Sequence, residues 1–207
     1  MNLIVPILAI SAASFAMVTL PTFIKTFVPR LTSRVRYRNG LYFISVRNGE
    51  WLEIREFVQP HNPSVAAIYS QIGPDVWGCL DFVCRNISYR RDIGEFFQLP
   101  SETIATSQGD CEDSSILLAS MLRRFTNAYV VLGNYRGLGH AWVAREGEIL
   151  EATYTAAIAV PDPDNYCPHF LFNDQEVIEL WPGALSEVFG LRRQEATKLN
   201  LMAAVLT

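Results

Sequence analysis

Gly109-Asp110, followed by a run to Phe125 that holds neither glycine nor proline, is the strongest constraint in this chain. Ile116, Leu117, Ala119, Leu122 and Phe125 recur at helical spacing, so Cys111 to Phe125 reads as a helix. Gly109 supplies a turn and Asp110 an N-cap, with Asp113 three residues on in the position of a capping box. Cys111 then falls in the first helical turn, where free backbone N–H groups and the helix dipole favour an anion. Glu112 and Asp113 oppose one at the sulfur, and the local sequence leaves that balance open. Most free cysteines are small buried residues in apolar sequence. Cys111 is instead flanked by Asp110 and Glu112.

Downstream, Ala128 to Tyr135 reads as a strand, Arg136-Gly137-Leu138-Gly139 as a turn, and His140 to Ala144 as the returning strand. Gly147 marks another turn, and Glu148 to Thr153 reads as a third strand. His140 opens its strand, a position from which a side chain projects into a cleft. In such a meander Glu151 lies beside His140. Its carboxylate can accept a hydrogen bond from one ring nitrogen while the other faces a thiol. Cys111, His140 and Glu151 thus supply a nucleophile, its proton acceptor and the group that orients the acceptor.

Elsewhere, Leu41 to Val46 and Trp51 to Val58 flank Arg47-Asn48-Gly49-Glu50, a hairpin signal because Asn-Gly suits a type I′ turn. Ser64 to Ile87 reads as helical with a break at Gly73-Pro74. His169 to Phe172 and Glu176 to Trp181 form a further hairpin around Asn173-Asp174. Gly183 to Thr207 reads as a terminal helix with an apolar stripe that includes Leu185, Val188 and Phe189. Helices and strands segregate along the chain in an α+β order, with a Cys-bearing helix packed on an antiparallel sheet that carries the His and the carboxylate.

At these residues the chain resembles the transglutaminase-like superfamily of papain-like thiol enzymes. The matching segments are Pro100-Ser101-Glu102-Thr103-Ile104, Gly109-Asp110-Cys111-Glu112-Asp113, Gly139-His140-Ala141-Trp142-Val143 and Glu151-Ala152-Thr153. They are preceded by a helix that ends in Ile87-Ser88-Tyr89 with Asp92 beyond it. The match covers residues 60 to 155. The resemblance implies a papain-like core with Cys111 as nucleophile, His140 as general base and acid, and Glu151 as the orienting carboxylate. The family's third motif is Asp-Pro-Thr, whereas this chain has Glu-Ala-Thr. The side chain is one methylene longer, and its strand must sit correspondingly further back. Acyl transfer also needs an oxyanion donor. The Cys111 N–H is one candidate, and Gln98 or Trp77 would match the upstream Gln or Trp that family members use. Trp77 on its own reads better as helix core.

Leu3 to Ile24 contain no charged side chain and are long enough to cross a hydrocarbon layer of roughly 30 Å. Met1-Asn2 lacks the basic residues of a signal peptide. Lys25, Arg30, Arg34, Arg36 and Arg38 follow the run, which places the remaining domain on the cytoplasmic side of a single-pass anchor. The expected organisation is an anchor over 1–26, a juxtamembrane segment and hairpin over 27–60, a transglutaminase-like domain over 61–182 and a terminal helix over 183–207. A net charge of −4 without a basic patch in the domain excludes nucleic acid as a partner. Cys167-Pro168-His169 has no second ligand pair at zinc spacing, and there is no Gly-rich phosphate loop, so neither metal nor cofactor is expected. Two functions fit. One is a membrane-anchored thiol enzyme acting on amide bonds of a protein or peptide, as peptidase, amidase or acyl transferase. The other is a non-catalytic subunit of a membrane complex or membrane-containing particle. Deleting residues 1–30 is expected to move the protein from the membrane fraction to the soluble fraction without unfolding it, as read by fractionation after a high-salt wash.

Overall fold

In the computed structural model, which describes residues 34–92 and 94–205 and side chains as far as 194, the organising element is the helix Cys111–Leu122 (α4). Asp110 caps it: Oδ1 accepts from Glu112 N at 3.2 Å, and Asp113 Oδ2 accepts from Asp110 N at 3.2 Å. Every residue of α4 is buried. The single apolar stripe read from the sequence is therefore an understatement, since Leu118 and Met121 are covered as completely as Ile116 and Leu117. Its internal hydroxyl at Ser120 is satisfied, donating to Ile116 O at 2.7 Å and accepting from Gln59 N at 2.9 Å. The helix stops at Leu122, short of the predicted Phe125, where Arg123 turns to pair with Asp174 at 2.5 Å.

α4 packs against a five-stranded sheet and three shorter helices, Pro63–Ile72 (α1), Val76–Asn86 (α2) and Pro100–Thr106 (α3). A two-residue parallel bridge joins Ser88–Tyr89 (β4) to Gln108–Gly109 (β5) and sets Tyr89 directly beside the turn before Cys111. The large sheet contains Tyr129–Tyr135 (β6), Leu138–Arg145 (β7), Glu148–Leu150 (β8), Tyr166–Phe172 (β9) and Val177–Glu179 (β10), in the order β10-β9-β6-β7-β8. All its pairings are antiparallel. The β6–β7 turn is tighter than predicted. Arg136 and Gly137 alone take left-handed φ values of 53° and 82°, so Leu138 and Gly139 belong to the strand. β8 ends at Leu150, so Glu151 follows the strand rather than lying within it.

At the N-terminus, Val35–Arg38 (β1), Leu41–Arg47 (β2) and Glu50–Glu53 (β3) form a meander joined by two Asn-Gly turns. The second turn was legible; the first, Asn39-Gly40, carries the same signal and adds a strand that the sequence reading lacked. The predicted strand from Trp51 stops at Glu53, because a 3₁₀ turn over Ile54–Phe57 buries both of its end residues. Ile44, Phe57 and Val65 share one core with Leu117, Leu132 and Leu185, the last on the terminal helix Ala184–Val205 (α5). The boundaries expected at 60 and 182 are therefore not boundaries of the core. The proposed anchor lies outside the described residues. Among the described residues no helix is long and apolar enough to cross a membrane.

β9 bulges against β6 at Pro168-His169, and Gly133 is the β6 residue beneath the bulge. A Cβ at Gly133 would collide with the Cys167 carbonyl oxygen and the Trp142 ring. Gly133→Ala is expected to destabilise the protein by about 1–3 kcal/mol, read as a drop of several degrees in the thermal midpoint.

Candidate active site

Cys111 emerges from the N-terminus of α4 at one wall of a cleft of roughly 200 Å³ lined also by Tyr89, Arg91, Tyr135, His140 and Arg192. Only 3% of Cys111 is exposed. Its thiol donates to Glu112 Oε2 at 2.9 Å, and Arg192 Nη2 donates to the sulfur at 3.6 Å. On the opposite wall the His140 ring reaches in two directions. Nε2 meets Glu151 Oε2 at 2.8 Å, and the rest of the ring lines the same cleft as Cys111. Tyr135, Trp142 and Tyr166 surround the imidazole, with ring centroids 5.9, 6.2 and 6.1 Å away, and fix its plane. Burial pushes the His140 ring toward its neutral form, but the neighbouring Cys111 and Glu151 outweigh burial and raise its pKa to about 10.

Glu151 is buried and every lone-pair direction it presents is used. Oε2 also accepts from Tyr166 Oη at 2.9 Å, while Oε1 accepts from Thr153 N at 3.0 Å and Thr153 Oγ1 at 2.6 Å. Burial raises the carboxyl pKa, yet His140 and Thr153 hold it below the ordinary glutamate value. The longer side chain thus reaches His140 from a turn, not from a strand. The Thr of Glu-Ala-Thr closes that turn on the carboxylate.

Of the two upstream oxyanion candidates, neither faces the sulfur as a free donor. Gln98 Nε2 donates to Asp113 Oδ2 at 2.7 Å and to Gln108 O at 3.2 Å, and its backbone N–H bonds Asp113 Oδ1 at 2.8 Å. It serves the helix cap. Trp77 is 40% exposed in the first turn of α2, outside the cleft and outside the core to which the sequence assigned it. The Cys111 N–H remains, because a first-turn amide has no carbonyl one turn back. The Tyr89 phenol is more than half exposed but shares the cleft, and its raised pKa keeps it an O–H donor.

Sequence reasoning missed Arg192. Its side chain is 13% exposed and inserts from α5 among Glu112, Glu95 at 3.3 Å and Asp110 at 3.6 Å. Asp110, Cys111 and Glu112 bring their donor atoms within 4.8 Å of one another, and the cation they share is this guanidinium. A signal existed. Arg192 follows Val188 by four residues and Leu185 by seven, which places a charge on the buried face of the terminal helix. Around it, burial raises the pKa of Glu95 and Asp110, and lifts Asp92 to about 6. Asp113 rises to about 7, through burial and then the neighbouring Asp110.

No protein-family model and no curated protein matches the sequence. Among solved structures, LapG of Legionella pneumophila in its EGTA-treated form is similar over 63% of this chain and 86% of its own, at 14% identity and a TM-score of 0.47. A second LapG structure covers 64% and 86% at 16% identity and a TM-score of 0.46. A candidate cysteine protease of Cytophaga hutchinsonii covers 59% of this chain and 50% of its own at 18% identity and a TM-score of 0.41. These are likenesses of fold only, and the functional reading rests on the site's own geometry.

The His140–Glu151 pair makes stability depend on pH. The folded His140 value is raised, so its contribution is fully present below about 6.5 and is lost as pH rises through about 10. The folded Glu151 value is lowered, so its contribution is present above about 4.5 and is lost as pH falls through the lowered value. The gap in thermal midpoint between wild type and Glu151→Gln is therefore expected to be widest between those limits, 4.5 and 6.5, and to shrink toward pH 10 and in strong acid. Scanning fluorimetry across pH checks this; a gap that stays constant would contradict it.

Proposed function

We propose that this chain is a transglutaminase-like thiol enzyme that attacks amide bonds of a protein or peptide through a thioester, tethered to a membrane by its apolar N-terminal run. The observation that carries the reading is one imidazole that bonds Glu151 at 2.8 Å and shares a cleft of roughly 200 Å³ with Cys111. His140, whose raised pKa lets it hold the thiol proton, carries that proton before the sulfur attacks the amide carbon. The charge that develops on the carbonyl oxygen faces the Cys111 N–H and the Tyr89 hydroxyl. Collapse of the tetrahedral intermediate breaks the C–N bond, and the His140 proton leaves with the amine. Water or a second amine, deprotonated by His140, then attacks the thioester and restores the thiol. Glu151 holds the ring's tautomer and steadies its positive charge throughout, with Tyr166 and Thr153 fixing the carboxylate.

Cys111→Ala is expected to reduce turnover of a casein or mixed-peptide substrate to background while leaving the thermal midpoint within a few degrees. In the wild type, iodoacetamide should modify Cys111 ahead of the other thiols. Burial pushes Cys79 and Cys84 up to about 12 and about 11, and Cys167 is exposed but does not line the cleft. Turnover that persists above a few per cent in the variant would overturn the nucleophile. A wild type with no turnover and an inert Cys111 would favour the non-catalytic subunit.

A further inference from the structure

Cys111 stands in an unusually acidic place for a nucleophile. Asp110 precedes it, Glu112 follows it with an oxygen 2.9 Å from the sulfur, and Glu95 meets the same guanidinium that touches the sulfur. A like charge within about 4–6 Å disfavours an anion by one or more pH units, and the helix N-terminus offsets only part of that. We propose that Arg192 is the positioning residue that makes this nucleophile workable: its guanidinium neutralises the Glu95–Asp110–Glu112 cluster and lies against the sulfur that must become negative. The proposal rests on the reading of Cys111 as nucleophile.

Three observations support it. The guanidinium reaches all of these groups at once, bonding Glu112 and sitting 3.3 Å from Glu95, 3.6 Å from Asp110 and 3.6 Å from Sγ. A planar fork with several N–H donors spans such a set, which an ammonium does not. Next, its position is built. Leu185, Val188 and Phe189 are buried and lock the start of α5 into the core, and the Arg192 stem lies on Gly139, where a Cβ would strike Cγ. Last, its charge is permanent, so the compensation holds at every pH at which His140 works. Other groups face the cleft from packed elements. His140 on β7 is the transferable proton itself. Tyr89 on β4 and Tyr135 on β6 are phenols. Asp113 on α4 is bonded to Gln98, and Asp92 adds negative charge near Asp110. Arg91 also lines the cleft, from the loop after β4.

The test measures the rate at which neutral iodoacetamide modifies Cys111 in the full chain, resolved by peptide mass spectrometry, from about pH 5 to about pH 11. Arg192→Met keeps the stem and removes the charge. It is expected to slow alkylation about tenfold or more at pH 7 and to raise the pH midpoint by about one unit or more. Arg192→Lys is expected to fall between Arg192→Met and wild type. Glu112→Gln, which leaves the buried cation in place, is expected to speed alkylation and lower the midpoint. It reads the same opposition of charges even if Arg192→Met fails to fold. An unchanged midpoint in either Arg192→Met or Glu112→Gln overturns the proposal. His140→Ala, run alongside, separates the two ideas. If it slows alkylation while Arg192→Met does not, the enzyme reading survives and the role of Arg192 is lost. If His140→Ala changes nothing, the site reading fails and takes the proposal with it.

Discussion

Burial of α4 along its whole length governs the rest of the molecule. A helix interior satisfies its own backbone, so burying the middle of α4 costs little and removes Ile116, Leu117, Leu118, Met121 and Leu122 from water. Its N-terminus is different. Four amides there lack helical partners, and the residues that best cap them are acidic. Once this end is inside the protein, Asp110, Glu112 and Asp113 must find partners, because an isolated buried charge is prohibitively costly. Gln98 and the Asp110 amide answer Asp113, and Arg192 answers Asp110 and Glu112. The chemistry of the cleft is built from the same groups that allow the helix to be buried.

The sheet solves a different problem, which is aim. β7 alternates Ala141 and Val143 into the core beneath α4 with His140 and Trp142 toward a second, aromatic layer that includes Tyr166. That layer gives the imidazole a rigid, water-poor seat, and Tyr166 ties the seat to Glu151 through a hydrogen bond. Orientation of the ring therefore depends on β6, β7 and β9 together, and β9 is drawn close by the glycine at 133.

The local signals proved legible in the sequence. The Asp110 cap, the start of α4, the paired strands around Arg136-Gly137 and the break at Gly73 all follow from nearest-neighbour chemistry, and the expected mixture of helices with antiparallel sheet is what the chain adopts. Register and side-chain reach did not follow. Glu151 meets His140 from beyond the end of its strand, because Thr153 folds the backbone onto the carboxylate. Gln98 has the right chemistry for an oxyanion donor, but its amide is occupied by a helix cap fifteen residues away. Trp77 carries its apolar ring on a partly exposed face of α2. Arg192 meets Cys111 across 81 positions of sequence, a distance over which periodicity in either segment says nothing about the other.

Chain order gives α5 a further significance. Cys111, His140 and Glu151 all precede Arg192, so during synthesis the helix, the sheet and the carboxylate turn emerge from the ribosome first. Until α5 follows, the acidic end of α4 lacks the guanidinium that bonds Glu112 and lies 3.6 Å from Asp110. The element that completes the electrostatics of the cleft is thus made after Cys111, His140 and Glu151. A nascent chain, or one clipped before α5, would accordingly carry the cleft without its full set of charges.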